Sequence, residues 1–153
     1  MICVIQRVRS ASVRVNDEIV GRIGEGLLVL AAVERTDTEA DADWTAHKLL
    51  TLRIFPNGDK RFDLDVLAAN AQVLLVSNFT VAADAASGRR PSLSNAADPE
   101  TGRRLFDRLV AACRSGVGRC ETGRFGADML VDSVNDGPVT FVLDSNSGKA
   151  QTP

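Results

Sequence analysis

Along the first third of the chain, apolar residues fall in short alternating or continuous runs rather than at helical spacing. Residues 1–8, MICVIQRV, alternate imperfectly and are rich in β-branched side chains, so they read as a strand. Residues 11–17, ASVRVND, alternate cleanly, with Val13 and Val15 on one face and Ser12 and Arg14 on the other. Residues 16–18 read as a turn into a further strand, IVGRI, and Gly24 and Gly26 bracket the next turn. GLLVLAAVE, residues 26–34, is a continuous apolar run with the length of a buried strand. Together these segments predict an antiparallel meander.

The period then changes. Thr36 and Glu39 have the spacing of a capping box, in which each side chain satisfies the other's open backbone N–H. Ala40, Trp44, Leu49 and Leu50 give a rough apolar stripe and predict a helix. TLRIF at 51–55 reads as a strand, and PNGDKRF at 56–62 as a turn-rich loop. AQVLLVSNFTV, residues 71–81, is a core strand that runs out at a polar end. A long loop with Gly88, Pro91 and Pro99 leads to a second helix starting at Asp98, with Pro99 at the first helical position. Leu105, Phe106, Leu109, Val110 and Cys113 recur at helical spacing; Arg103, Arg104, Asp107, Arg108 and Arg114 take the other side, and Gly116 and Gly118 stop the helix. Residues 120–145 supply a final set of strands, and residues 146–153 read as a disordered tail. The prediction is one α+β domain over residues 1–145, a mainly antiparallel sheet with two helices packed on it.

Composition narrows the chemistry. The 153 residues are 44% hydrophobic, enough for a core, and the formal net charge is −2. No global basic field draws the chain onto nucleic acid, so any RNA contact must be local. The apolar run at the start is short and broken by Gln6 and Arg7, unlike a signal peptide, and no stretch approaches the roughly 18 apolar residues of a membrane span. The cysteines, Cys3, Cys113 and Cys120, are odd in number and form no Cys-x-x-Cys, which points to a reduced, cytoplasmic protein without disulfide or zinc. No cofactor motif appears: the phosphate-binding P-loop pattern is absent, and the glycines of GRIGEG at 21–26 suit a hairpin. The single histidine, His47, lies mid-helix among charged residues and reads as surface.

Polar residues cluster at three other places. VSNFT, residues 76–80, ends a buried strand in hydroxyl and amide groups; from spacing alone, ordinary strand-end turn chemistry is the better reading. GRRPS, residues 88–92, puts Arg89 and Arg90 on a Gly/Pro loop, which is either a solvated loop or a phosphate contact. NDGPVT, residues 135–140, sits between two β-like runs, and taken alone its Gly-Pro is a turn with a trans bond.

These three places, taken in order with MICVIQRVRSASVRV, IGEGLLVLAAVE, LRIF and ETGRFGADM, resemble the D-aminoacyl-tRNA deacylase family from Met1 to about Ser145. The resemblance implies that family's barrel-like α+β fold, a cytoplasmic homodimer, and hydrolysis of the ester between a D-amino acid (or glycine) and the terminal ribose of tRNA. It implies a cis Gly137–Pro138 bond reaching into the neighbouring subunit's site. There its carbonyls would hold the substrate ammonium, and an L side chain would clash. It further implies that the tRNA 2′-hydroxyl helps activate water, while backbone N–H groups at Phe79 and Thr80 stabilise the oxyanion. Ser77 belongs to the same turn, Arg7 would brace the Gly-Pro backbone, and Phe125 and Met129 would line or cap the pocket. Otherwise Arg7 is a solvent-facing strand residue, and Phe125 and Met129 are core. Three positions depart from the family pattern: Asn78 stands for Gln, Val81 for Leu, and Ser87 for a basic residue. The Asn78 change leaves open the side chain's contact with the terminal adenosine, whereas a main-chain N–H there would survive. Two other readings remain: a tRNA-end or nucleotide-binding module without turnover, and a hydrolase that uses Thr80 as nucleophile.

Overall fold

The computed structural model describes residues 1–86 and 88–147. Its first strand, β1 (Ile2–Val15), is continuous where the pattern predicts two strands. The reason is a bulge. Cys3 and Ile5 face the core beneath the helices, whereas Val8 faces the opposite way. The register against the last strand slips between Val8 and Ser10, and this extra residue keeps Ala11 and Val13 on the side of Val8. One strand thus serves two cores, with Arg9 and Ser10 exposed at the switch.

β2 (Glu18–Ile23) and β3 (Gly26–Ala32) both pair antiparallel with β1, so β1 lies between them and the expected meander is broken. Asn16 and Asp17, at positive φ, form the β1–β2 turn. β6 (Gln72–Ser77) runs parallel to β3, and β7 (Cys120–Thr122) runs parallel to β6. Helix α1 (Glu39–Thr51) lies in the first of these crossovers and α2 (Pro99–Gly116) in the second. β8 (Leu130–Asp144) runs antiparallel along the whole of β1. Antiparallel pairing therefore predominates, with two parallel ladders that residue alternation alone does not report.

The sheet curls into a barrel-like form. β2 approaches β7 because Gly21 has no Cβ, which would fall 2.5 Å from the Thr122 carbonyl oxygen. Arg119 donates across the same seam to the Arg22 carbonyl, 3.1 Å. Inside lie Val8, Ala11, Val13, Ile23, Leu28, Leu74 and Val76. On the outer face Leu27, Val29, Val73 and Leu75 pack against the helices. β3 and β6 are covered on both faces, which accounts for their continuous apolar runs.

α2 begins at Asp98, whose carboxylate accepts from the Glu100 and Thr101 N–H groups, with Pro99 following. It buries Leu105, Phe106, Leu109, Val110 and Cys113, as the stripe predicts. α1 starts at Glu39, later than expected. Its capping box joins Thr38 to Asp41, whose carboxylate accepts from the Thr38 N–H at 2.9 Å; Thr36 and Glu39 do not form it. Its buried face is Ala42, Thr45, Ala46 and Leu49, while Trp44 stays exposed. Residues 52–54 are not a strand. Instead β4 (Phe55–Asn57) and β5 (Lys60–Leu64) make a small hairpin out of the stretch expected to be loop, turning at Gly58 with φ +55.

At the far end, Ser145 and the amino group of Met1 are hydrogen-bonded at 2.7 Å, and that amino group also pairs with buried Asp37. Asn146 and Ser147, within the expected tail, turn back on Asp144. The rest of that tail, 148–153, and Ser87 lie outside the described residues.

Candidate active site

A cleft of about 710 Å³ opens where β3 and β6 end. Its floor is Leu30, Ala31, Val76 and Ser77; its rim is Asn78 and Phe79. The start of α2 supplies a second wall through Ala97, Asp98, Pro99, Gly102 and Phe106. The third wall is the segment between β7 and β8, with Phe125, Asp128 and Met129. Ends of parallel strands facing a helix start are a common place for ligands, because backbone groups there lack partners.

The turn at the rim is defined by its hydrogen bonds. The Asn78 N–H donates to the Ala31 carbonyl, 2.8 Å, so it is committed to the sheet and is not the free donor expected there. The Asn78 side-chain oxygen accepts from the Thr80 hydroxyl at 2.5 Å. A single 3-10 turn, Phe79–Ala82, follows, closed by Val81 N–H to the Asn78 carbonyl. The N–H groups of Phe79 and Thr80 donate to no protein acceptor among the described residues. Phe79 is 58% exposed, a large apolar side chain standing in solvent beside the cleft. Thr80 adjoins the cleft without lining it.

Phe125 is held from three sides. Its ring packs on Phe106 with centroids 5.9 Å apart, and the Arg103 guanidinium lies 4.7 Å above it. Arg103 also donates to the Phe125 carbonyl, 3.4 Å. Gly102 leaves room for the ring, since a Cβ there would touch it at 3.4 Å. Met129 occupies the space left by Gly123, where a Cβ would fall 2.7 Å from its sulfur. The Asp98 carboxyl on the cleft wall is held below the usual carboxylate range, chiefly by the Thr101 N–H it accepts.

Arg7, Gly137 and Pro138 form a second group. Arg7 is buried, and its Nε lies 3.2 Å from both the backbone carbonyl and the carboxylate of Asp136. Its Nη1 donates to the Ile54 carbonyl, 2.7 Å. The register of β8 on β1 slips between Gln6 and Val8, so residues 136–139 bulge out of the ladder. The Asn135 side chain spans that bulge, accepting from the Val139 N–H at 2.7 Å and donating to its carbonyl at 3.2 Å. Gly137 has φ +145, and a Cβ there would meet Val139 Cγ2 at 2.5 Å. The Gly137–Pro138 bond is cis, and the two residues are exposed. The motif is therefore a bulge inside one long strand, not a turn between two. Within the chain it stands apart from the cleft: Val131 lines the cleft, and Gly137 is six residues further along β8, about 20 Å at ~3.3 Å per residue.

The structure thus brings Ser77, Asn78, Phe79, Phe125 and Met129 to one cleft, sets Thr80 beside it, and leaves Arg7, Gly137 and Pro138 elsewhere. The sequence reading missed the wall made by α2. Its signal was present: the Asp98–Pro99 start fixes the helix phase, and Gly102 interrupts the face above Phe106. His47 is on the exposed side of α1. Among the described residues, no three His, Cys, Asp or Glu side chains are grouped to hold a metal, and no helix is long and apolar enough to cross a membrane.

Comparison with known proteins gives this geometry a context. The family model described as D-Tyr-tRNA(Tyr) deacylase matches residues 4–144. The D-aminoacyl-tRNA deacylase of Methylococcus capsulatus is 54% identical over 143 residues, covering 94% of each chain. That of Pelobacter propionicus is 51% identical, covering 94% of this chain and 99% of its own. A solved structure described as c-Myc DNA unwinding element binding protein superposes with a TM-score of 0.89 at 31% identity, covering 94% of this chain and 98% of that one. A probable eukaryotic D-amino acid tRNA deacylase shares the fold, with a TM-score of 0.76 at 18% identity. A full-length match at these identities leaves one assignment: the chain belongs to the D-Tyr-tRNA(Tyr) deacylase family.

Proposed function

We propose that the protein hydrolyses the ester joining a D-amino acid to the 3′-terminal ribose of tRNA, releasing free amino acid and reusable tRNA in the cytoplasm. The observation that carries this is 54% identity, over nearly the whole chain, to a D-aminoacyl-tRNA deacylase. In this reading the cleft takes the terminal adenosine and its aminoacyl group. Water adds to the ester carbonyl, helped by the tRNA's own 2′-hydroxyl. The N–H groups of Phe79 and Thr80 receive the oxyanion, and the 3′ oxygen leaves with a proton. The unpartnered state of those two N–H groups supports their role, as does the engagement of the Thr80 hydroxyl with Asn78, which leaves it no base.

Selection against L-substrates falls to Gly137 and Pro138 of a partner subunit in a homodimer. Two observations support this. β8 is an edge strand whose outer apolar residues, Val134 (57% exposed) and Val142 (71%), flank the motif. In addition, the motif is out of reach of its own cleft. A two-fold axis near Val134 would set Gly137 of one copy opposite Val131, at the cleft of the other. Arg7 then fixes the bulge from below through Asp136. Glycine, including glycine mischarged on tRNA-Ala, is accepted because it has no side chain to clash.

The test is hydrolysis of matched D-Tyr-tRNA and L-Tyr-tRNA by the purified protein. Fast loss of the D ester alone is expected; equal loss of both contradicts the selecting wall. The second reading is a module that binds tRNA ends or nucleotides without turnover. It draws on Asn78, whose N–H and side-chain oxygen are already occupied, and on the 31%-identical relative described as a DNA-element-binding protein. Bound tRNA with neither ester lost would select it.

A further inference from the structure

Most arginines of this chain are held by an ion pair, an aromatic ring or a backbone carbonyl. Among the described residues, the guanidiniums of Arg22, Arg35, Arg89 and Arg90 have no such partner. Arg89 and Arg90 sit on one loop, and Arg35 is tied to that loop's returning limb through its backbone. The loop carrying Arg89 and Arg90 leaves the cleft rim just after the Phe79–Ala82 turn and returns at Ala96 and Ala97, which line the cleft. It is closed at its base: the Asp84 N–H donates to the Ser92 carbonyl at 2.9 Å, and the Ser92 N–H donates back at 2.8 Å. Asp84 makes no ion pair with Arg89 or Arg90; its carboxylate turns inward to accept from the Ala86 N–H at 2.8 Å. Arg35 lies against the returning limb, its N–H on the Asn95 carbonyl at 2.9 Å.

Unpaired, exposed guanidiniums gathered beside a cleft suit a polyanion that crosses the rim, because each presents a planar set of donors matched to phosphate. For an RNA whose terminal nucleoside sits in the cleft, the rim at Asn78 and Phe79 is a way out for the preceding phosphodiesters, and it leads past this loop. We propose that Arg89 and Arg90, with Arg35 at the foot of the loop, bind those phosphates of the tRNA 3′ strand. This rests on the reading of the cleft as the site of the aminoacylated terminus.

The test compares D-aminoacyl-tRNA with a D-aminoacyl ester of adenosine, which carries no phosphodiester. With R89Q/R90Q, KM for the tRNA should rise about tenfold with kcat little changed. The slope of log kcat/KM against log salt should become shallower by about 1.4–1.8, at roughly 0.7–0.9 for each of two phosphate contacts. R35Q should act in the same direction, R89K/R90K should retain the slope, and R22Q should change nothing. The adenosine ester should be cleaved equally by wild type and R89Q/R90Q. An unchanged salt slope, or an equal loss on both substrates, overturns the proposal. If the wild-type protein cleaves neither substrate, the reading of the reaction falls, and filter binding of uncharged tRNA decides the surface alone: weaker binding by R89Q/R90Q sustains it, and equal binding ends it.

Discussion

Gly123 and Met129 share a space that only one of them can fill. A Cβ on Gly123 would fall 2.7 Å from the Met129 sulfur and 3.6 Å from Val13 Cγ1. Methionine is flexible, so the fold can absorb Gly123→Ala at about 1 kcal/mol, a Tm loss of about 2–4 °C. The displaced side chain must enter the cleft, and KM for D-aminoacyl-tRNA should rise several-fold. A wild-type KM in this variant would show that Met129 does not bound the substrate. At Thr80, loss of the hydroxyl in Thr80→Ala should leave kcat within about tenfold of wild type, because the group is a donor to Asn78 and its backbone N–H survives. Abolished turnover would restore Thr80 as a nucleophile. Asn78 shows where residue-level reading stops. Its side chain could be weighed from its type, but its N–H is spent on Ala31, and only the parallel β3–β6 ladder reveals that.

The two helices differ in how plainly they were written. α2 carries Asp98, Pro99 and a stripe of large residues, so its start and buried face follow from local chemistry. α1 buries Leu49 of the predicted stripe, but beside it alanines and a threonine, while Trp44 is exposed, so its apolar contrast is a poor guide to the buried face. Strand direction was hidden for a different reason. Alternation reports which face is buried but not which way the chain runs, and the helices between β3, β6 and β7 were the only hint of parallel crossovers. Barrel closure depends on a backbone contact that no pattern records. Gly21→Ala would drive a Cβ into the Thr122 carbonyl and Leu74, at 2.5 and 3.1 Å. Backbone cannot rotate aside, so about 1–3 kcal/mol of stability should be lost, read as a lower midpoint in urea. The Asp98 cap gives α2 a pH signature. Its carboxyl is depressed in the folded state, so its contribution is present above the unfolded value near ~3.9 and fades as pH falls through the folded value. Asp98→Asn keeps an acceptor but cannot titrate, so acid unfolding followed by circular dichroism should show a flatter limb below about pH 4. An unchanged limb would mean the charge at this cap does not matter.

At the scale of the whole molecule, the exposed surface of β8 is the largest unexplained feature of a lone chain. Val134 and Val142 lie in solvent on an edge strand, with Phe79 exposed at the cleft and Gly137–Pro138 set about 20 Å along β8 from the cleft-lining Val131. The motif itself was legible as a string, yet its separation from the cleft was not, because the bulge against Gln6 and Val8 is a tertiary property. If a second copy covers β8, a charge placed there should act on assembly and catalysis together. Val134→Asp lies at the proposed axis and faces solvent in the single chain, so its folding should be nearly unaffected, with Tm extrapolated to high dilution close to wild type. Burying an unpaired carboxylate between subunits is costly, by several kcal/mol, which is enough to shift a dimer towards monomer at micromolar concentration. Light scattering should then report a mass near the 16.3 kDa of one chain, and D-ester hydrolysis should fall in proportion to the dimer lost, recovering as protein concentration rises. Full activity from a monomeric Val134→Asp protein would show that each cleft is complete in one chain, and Gly137–Pro138 would then need a role other than closing its neighbour's site.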